Sequence, residues 1–260
     1  MTASGRVSPE LVKEIIAARD ERRLHTPPSE QARLSLAEAY AVQDALREAL
    51  VARGERVAGW KSGFTTRAGQ EAFGVSEPVS AFLLAADTFP TGAELPAARF
   101  VKPAVEAEVA FVMRRELAGP GVTVPQALTA VEGAMPALEL IDFRYSGKPH
   151  GTDVIADGVY ANAVVLGGAL TSVAGLDLAL EGLVYEQNGL VAATNAAAEV
   201  MGNPLNSLAW LANHLGARGL GLRAGDVVMS GSVSRLLTPK AGDTIRATFT
   251  RLGPVAVRFV

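Results

Sequence analysis

The stretch Lys102-Pro-Ala-Val-Glu106-Ala-Glu108-Val-Ala-Phe-Val-Met113 leaves the chain few ways to fold. Its β-branched and aromatic residues predict a strand over 104–113. On a strand, successive side chains alternate, so Glu106 and Glu108 share one face, roughly 6–7 Å apart at the backbone. Val105, Ala107 and Val109 take the other face. Adjacent carboxylates on an apolar strand repel, and burying them unpaired costs several kcal/mol. Either that face is open to water and the acids are merely solvated, or a cation sits between them. Oxygen ligands at this spacing suit Mg2+ or Mn2+. Pro136-Ala-Leu-Glu139-Leu-Ile141 shifts the balance toward the cation. It reads as a second short apolar strand (137–141) with one acid in its middle, a placement disfavoured unless the acid is exposed or paired. Together the two strands could offer three oxygen ligands, leaving other positions to water and a chelating substrate.

The rest of the chain frames that pair of strands. At 260 residues, 49% hydrophobic and 20% charged, it can build one large core, with at most a small appendage. The first third is helical in pattern. Leu11, Ile15 and Ala18 recur on one face after Ser8, a plausible N-cap. Pro27-Pro28 breaks the pattern, and 35–53 resumes it with a Ser35/Glu38 capping box and Gly54 as a stop. From Val57 onward short apolar runs predict further strands over 159–166, 182–185, 226–230 and 244–250. Helices are predicted over 124–132 and 206–215, and a hairpin at Gln187-Asn188-Gly189. Regular β-α alternation is missing, which favours an α+β fold over a doubly wound sheet. The natural division is a helical segment, 1–56, before a β-rich catalytic domain, 57–260.

Several function classes fall away. A formal net charge of −3 argues against nucleic acid or an anionic membrane as partner. With no cysteine, disulfides, thiolate catalysis and iron–sulfur clusters are excluded. Gly219-Leu-Gly221-Leu-Arg-Ala-Gly225 is not a dinucleotide fingerprint, and Ser230-Gly-Ser232 is not a nucleophile elbow. His25, His150 and His214 are scattered and read as surface or packing residues. Residues 1–13 lack the apolar run of a secretory signal. The uncharged stretch 158–176 holds four glycines and reads as strand, Gly-Gly turn and next strand rather than a membrane span. A soluble, cytoplasmic protein is expected.

Lys61, in Gly59-Trp60-Lys61-Ser62-Gly63-Phe64-Thr65, could bind a substrate carboxylate or act as an acid/base; the alternative is a surface lysine in a turn. Asp153, Asp157 and Arg144 are further polar candidates, each of which alone reads as a turn or ion-pair residue.

These segments, with Phe73-Gly74-Val75, Pro136-Ala-Leu-Glu139-Leu-Ile-Asp142-x-Arg144, Ile155-Ala-Asp157 and Ala224-Gly-Asp-Val-Val-Met-Ser-Gly231, carry a resemblance over nearly the whole chain. It resembles the 2-oxopent-4-enoate hydratase and 4-oxalocrotonate decarboxylase family of the fumarylacetoacetate hydrolase superfamily. The resemblance implies a mixed β-roll or barrel core behind a small helical N-terminal part. It also implies a Mg2+- or Mn2+-dependent lyase of meta-cleavage breakdown of aromatic compounds, usually a homo-oligomer, which can associate with a pathway partner enzyme. Carried over by position, Glu106, Glu108 and Glu139 are the metal ligands and Lys61 contacts substrate. Asp157 joins Lys61 as a catalytic candidate, and Arg144, Tyr160 and Ser232 are candidates for substrate binding.

The implied chemistry suits those residues. A 2-oxo acid chelates a metal through its carboxylate and 2-oxygen, and enolate charge on that oxygen is stabilised by the metal and Lys61. The same sink serves water addition, as in hydration of 2-hydroxypenta-2,4-dienoate, and CO2 loss, as from 4-oxalocrotonate. Hydration is the leading expectation. Decarboxylation, acylpyruvate hydrolysis and a pseudoenzyme partner subunit are the alternatives. Two departures from the family pattern bear on that choice: Gly158 and Tyr160 replace a small polar Asn and Ser, and no acid follows Pro78.

Overall fold

The computed structural model describes residues 8–260, so the first seven residues of the stretch read as lacking a secretory signal lie outside it. Helix α1 (Pro9–Glu21) starts where Ser8 Oγ accepts the Leu11 N–H at 3.3 Å, and buries Val12, Ile15 and Ala18. Helix α2 (Leu36–Ala52) carries the expected capping box, with Ser35 and Glu38 bonded in both directions. The chain then runs through β1 (Val57–Gly63), α3 (Arg67–Phe73), β2 (Val79–Leu84), β3 (Thr88–Pro90), β4 (Ala93–Leu95) and β5 (Pro103–Met113). After α4 (Val124–Ala130) come β6 (Val131–Asp142), α5 (Gly151–Ala156), β7 (Ala161–Leu166), β8 (Gly182–Gln187) and β9 (Leu190–Ala196). Helix α6 (Pro204–Ala217), β10 (Val227–Ser232), β11 (Thr244–Phe249) and β12 (Gly253–Phe259) complete it.

The strands form two mixed sheets rather than a closed barrel. One has the order β2-β1-β10-β5-β6-β7-β3 and the other β4-β12-β11-β8-β9. Both faces of the β5–β6 pair are used. Val105, Ala107, Val109, Leu138 and Leu140 join Ile245, Phe249, Val257 and Phe259 of the second sheet in the main apolar cluster. That cluster also takes in Ile15, Leu46 and Trp60, so the N-terminal helices share it. The opposite face of β5 and β6 holds Ala104 and Ile141 toward one smaller cluster, Ala110 and Ala137 toward another, and the acids between them. Buried Gln43 of α2 donates to the carbonyls of Ser80 and Ile155, pinning α2 to β2 and α5.

Three expectations are corrected. The helix over 124–132 stops at Ala130, because Val131 already pairs with Met113 across β5–β6. The strand over 137–141 is more than twice as long, Val131–Asp142, and accommodates Pro136, whose carbonyl still accepts the Gly167 N–H at 2.8 Å. Within 158–176 only β7 is a full strand; the second collapses to a single bridge, Thr171 to Ala134. The hairpin holds, with Asn188 and Gly189 both left-handed (φ 54° and 76°), as a two-residue turn of that hand requires. Among the described residues no helix is long and apolar enough to cross a membrane.

Candidate metal and substrate site

Antiparallel pairing sets Glu106 directly opposite Glu139, with Glu108 two residues along β5 on the same face. The three offer one carboxylate oxygen each, all within 4.8 Å of one another. Glu108 and Glu139 are fully buried, and Glu106 is part-exposed at the floor of a cavity of about 370 Å3. Glu108 Oε2 accepts the Gly231 N–H at 2.8 Å. That donor is aimed by an irregularity in β10, where the register shifts between Met229 and Ser232. Gly231 is left-handed (φ 112°), and a Cβ there would lie 2.5 Å from the Thr65 side chain.

Glu108 Oε1 and Glu139 Oε2 are buried and have no hydrogen-bond partner. Orphaned buried carboxylate oxygens cost several kcal/mol unless a cation meets them. Three hard oxygen donors at this separation fit Mg2+ or Mn2+. The metal-free corner shows the strain in its protonation: burial first, then the Glu139 charge, pushes Glu106 up to about 7. Glu108 is raised well above the usual carboxylate range by burial and by Glu139 and Glu106. A divalent ion must displace those protons. Affinity for Mn2+, followed by isothermal titration, is therefore expected to rise with pH through about 7, by about tenfold per pH unit for each of the two carboxyls that is still protonated. Affinity independent of pH between 6 and 8 would remove Glu106 from the ligand set.

Lys61 is 2% exposed and lies on a strand, not in a surface turn. Its Nζ pairs with Glu139 Oε1 and donates to the Val159 carbonyl at 3.3 Å. Strand β1 reaches this place because Gly59 lets it run parallel against β10; a Cβ at Gly59 would sit 1.8 Å from the Val227 carbonyl oxygen. Val159 and Tyr160 are both left-handed (φ 53° and 58°), an uncommon state for a β-branched residue, and this turn presents the Val159 carbonyl to Lys61.

Tyr160 and Ser232 line the cavity with Lys61 and Glu106. Asp157 and Arg144 do not. Arg144 grips Asp157 through Nε at 3.2 Å and Nη2 at 2.6 Å, both side chains essentially fully buried. Arg19 of α1 adds a bond to the Asp157 carbonyl. This cluster lies behind Val159 and Tyr160 rather than in the cavity. The remaining sequence candidate, Asp153, is buried and bonds Ser29 and the His150 N–H. The sequence reading missed the Gly231 N–H, the Val159 carbonyl, Arg19 and the rim residues Asn195, Glu199 and Arg235.

Residues 55–260 match the family model described as fumarylacetoacetate (FAA) hydrolase C-terminal. The chain is 36% identical over 228 residues to a 4-oxalocrotonate decarboxylase of Pseudomonas sp. (strain CF600), covering 87% of this chain and 86% of that one. It is 33% identical over 246 residues to a 2-hydroxyhexa-2,4-dienoate hydratase of Comamonas testosteroni, covering 94% and 93%. The structure of 4-oxalocrotonate decarboxylase from Pseudomonas putida G7, complexed with magnesium and adipate, superposes with a TM-score of 0.93 at 32% identity, covering 96% of each chain.

Proposed function

The chain belongs to the fumarylacetoacetate hydrolase family, and from that premise we propose that it is a divalent-metal-dependent lyase of 2-oxo-4-enoic (2-hydroxydienoic) acids. The observation that carries this reading is the convergence of Glu106, Glu108 and Glu139, with two buried oxygens unpartnered, beside the buried Lys61. Glu106, Glu108 and Glu139 would hold Mg2+ or Mn2+, which supplies Lewis-acid polarisation of a 2-oxo group.

The chain's own residues do the rest. Lys61, anchored by Glu139 and the Val159 carbonyl, places a positive charge where enolate charge develops on the 2-oxygen. Phe64, Phe143 and Val159 give the cavity apolar walls that exclude water from the conjugated body of the substrate. The Tyr160 ring packs edge-on against Phe143 at 5.2 Å, and burial raises its hydroxyl pKa, so it stays a protonated donor at the cavity wall. Asp157 and Arg144 act from behind, holding the 159–160 turn in place.

Hydration is the leading reaction: water adds its hydroxyl at C4 and its hydrogen at C5 of the 4-enoic acid. Decarboxylation of a 2-oxo-enedioate is a second reading, favoured by one feature of the cavity. Its lining acids are Glu106, already in the metal set, and Glu199 at the exposed rim, so the cavity's lining holds no buried carboxylate outside the metal set to serve as a base for water. The reading carries with it a cytoplasmic, homo-oligomeric enzyme of meta-cleavage catabolism.

Incubation with 2-hydroxypenta-2,4-dienoate or 4-oxalocrotonate and Mg2+ tests the assignment. We expect metal-dependent loss of diene absorbance with the first, and CO2 release with the second if decarboxylation is the activity. No turnover of either with metal bound would leave only the fold assignment standing.

A further inference from the structure

The cavity holds a second cation that the reading above does not use. Arg235 lines it and is exposed, whereas Lys61 at its depth is 2% exposed. Unlike Arg144, Arg218 and Arg251, which pair with Asp157, Asp44 and Glu181, Arg235 has no carboxylate partner among the described residues.

Its position is tied to the carboxylate corner. The turn after β10 is fastened to β5 on both sides of Glu106. The Val233 N–H donates to the Ala107 carbonyl at 2.8 Å, and the Val105 N–H to the Leu237 carbonyl at 2.8 Å. Ser234 Oγ accepts the Ala107 N–H at 3.0 Å, and Ser232 Oγ donates to the Ser234 carbonyl at 2.8 Å. A turn stapled this way fixes the base of the Arg235 side chain while its guanidinium stands at the mouth. From floor to mouth, the site therefore runs acid corner and Lys61, then apolar walls, then a free guanidinium.

We propose that Arg235 is a specificity-determining residue that binds a second carboxylate at the far end of the substrate. The substrate class is then a 2-oxo-4-enedioic acid whose second carboxylate is retained. This rests on the 2-oxo acid reading of the same cavity and sharpens it. Retention follows from charge. In a decarboxylation the departing carboxylate becomes neutral CO2, so a guanidinium gripping it stabilises the ground state more than the transition state and slows the reaction. In a hydration the tail charge is unchanged throughout, and the grip lowers KM without penalty. Water adds its hydroxyl at C4 and its hydrogen at C5, with no change of redox state. Glu199, the acid at the rim, repels a second carboxylate and so directs it to the Arg235 side.

The test is binding of two unreactive 2-oxo acids of equal chain length, 2-oxoadipate and 2-oxohexanoate, to the Mg2+-loaded protein by isothermal titration. The wild type is expected to favour 2-oxoadipate by about tenfold, the scale of one charge-assisted guanidinium–carboxylate bond. Arg235→Met, at an exposed site where folding is not at stake, is expected to erase that preference and leave 2-oxohexanoate binding unchanged. Equal affinities in the wild type, a preference that survives in R235M, or equal loss of both ligands in R235M overturns the proposal and leaves the 2-oxo acid site intact. Failure of both ligands to bind the metal-loaded wild type overturns the 2-oxo acid reading, and this inference with it.

Discussion

Glu108→Gln is expected to raise the melting temperature of the metal-free protein at pH 8 and to abolish the further gain that Mg2+ or Mn2+ gives the wild type. In the metal-free protein the folded-state pKa values of Glu108 and Glu106 lie above their ordinary value of 4.5, Glu106 at about 7. A carboxyl raised on folding binds its proton more tightly in the native state. For Glu106 that contribution is intact below about 4.5 and is lost as pH rises through about 7; for Glu108 it is lost in the same direction as pH rises. Deprotonating this corner thus costs the metal-free fold on the order of a few kcal/mol. A neutral amide removes Glu108's share: its oxygen still accepts the Gly231 N–H, and its NH2 can donate toward the orphaned Glu139 Oε2. In a chain of this size that share corresponds to roughly 5 °C. The same substitution deletes a hard anionic ligand, so turnover should fall by about 10³-fold or more. Scanning calorimetry at pH 5 and pH 8, with and without metal, separates these effects. A variant less stable than wild type at pH 8 that still gains from metal would mean that Glu108 is an ordinary structural residue.

That acid corner could be anticipated because the relevant pattern is local. Period-two alternation within β5 is enough to put Glu106 and Glu108 together, and apolar neighbours on both sides make their burial costly. Convergence of Glu139 needs one more fact, the β5–β6 register, which adjacency of the two strands in the chain makes natural. The capping box of α2 and the Asn188-Gly189 hairpin were equally plain, since each is settled within four residues.

What escaped has no local signature. A surface turn stays open as the alternative for Lys61 because Gly59 and Gly63 flank it, yet Gly59 is there for close approach to the Val227 carbonyl in a parallel strand pair. The donor to Glu108 is a backbone N–H aimed by an irregularity in β10, and the acceptor for Lys61 is a backbone carbonyl turned by two left-handed residues. Neither depends on side-chain identity in a way that spacing reveals. Arg19 meets Asp157 across 138 residues of chain; the Asp157–Arg144 pair bears out the ion-pair reading of both residues, while neither lines the cavity as the resemblance implies. The helix ending at Ala130 instead of residue 132 is the familiar case of strand pairing overriding helical preference at Val131.

Lys61→Met should produce two separable losses. Met matches the lysine stem in bulk but removes the charge facing Glu139, leaving a buried carboxylate without its cation. Breaking a buried pair by deleting one partner costs about 3–5 kcal/mol, whereas neutralising both is far milder. The double variant Lys61→Met with Glu139→Gln is therefore expected to recover most of the stability in guanidinium unfolding. Saturating Mn2+ should also restore part of the stability of the single variant, because the ion supplies Glu139 with the positive charge that Lys61 withdrew. Neither route returns the ammonium to the 2-oxygen, so turnover of the single variant with metal bound should remain down by about 10²–10³-fold, the scale of one lost enolate-stabilising group. KM should change less than kcat, since the charge it answers exists chiefly in the transition state. A metal-saturated K61M with wild-type kcat would show that Lys61 serves only to neutralise Glu139. Equal instability in the single and double variants would show instead that the pair does not govern the fold at this corner.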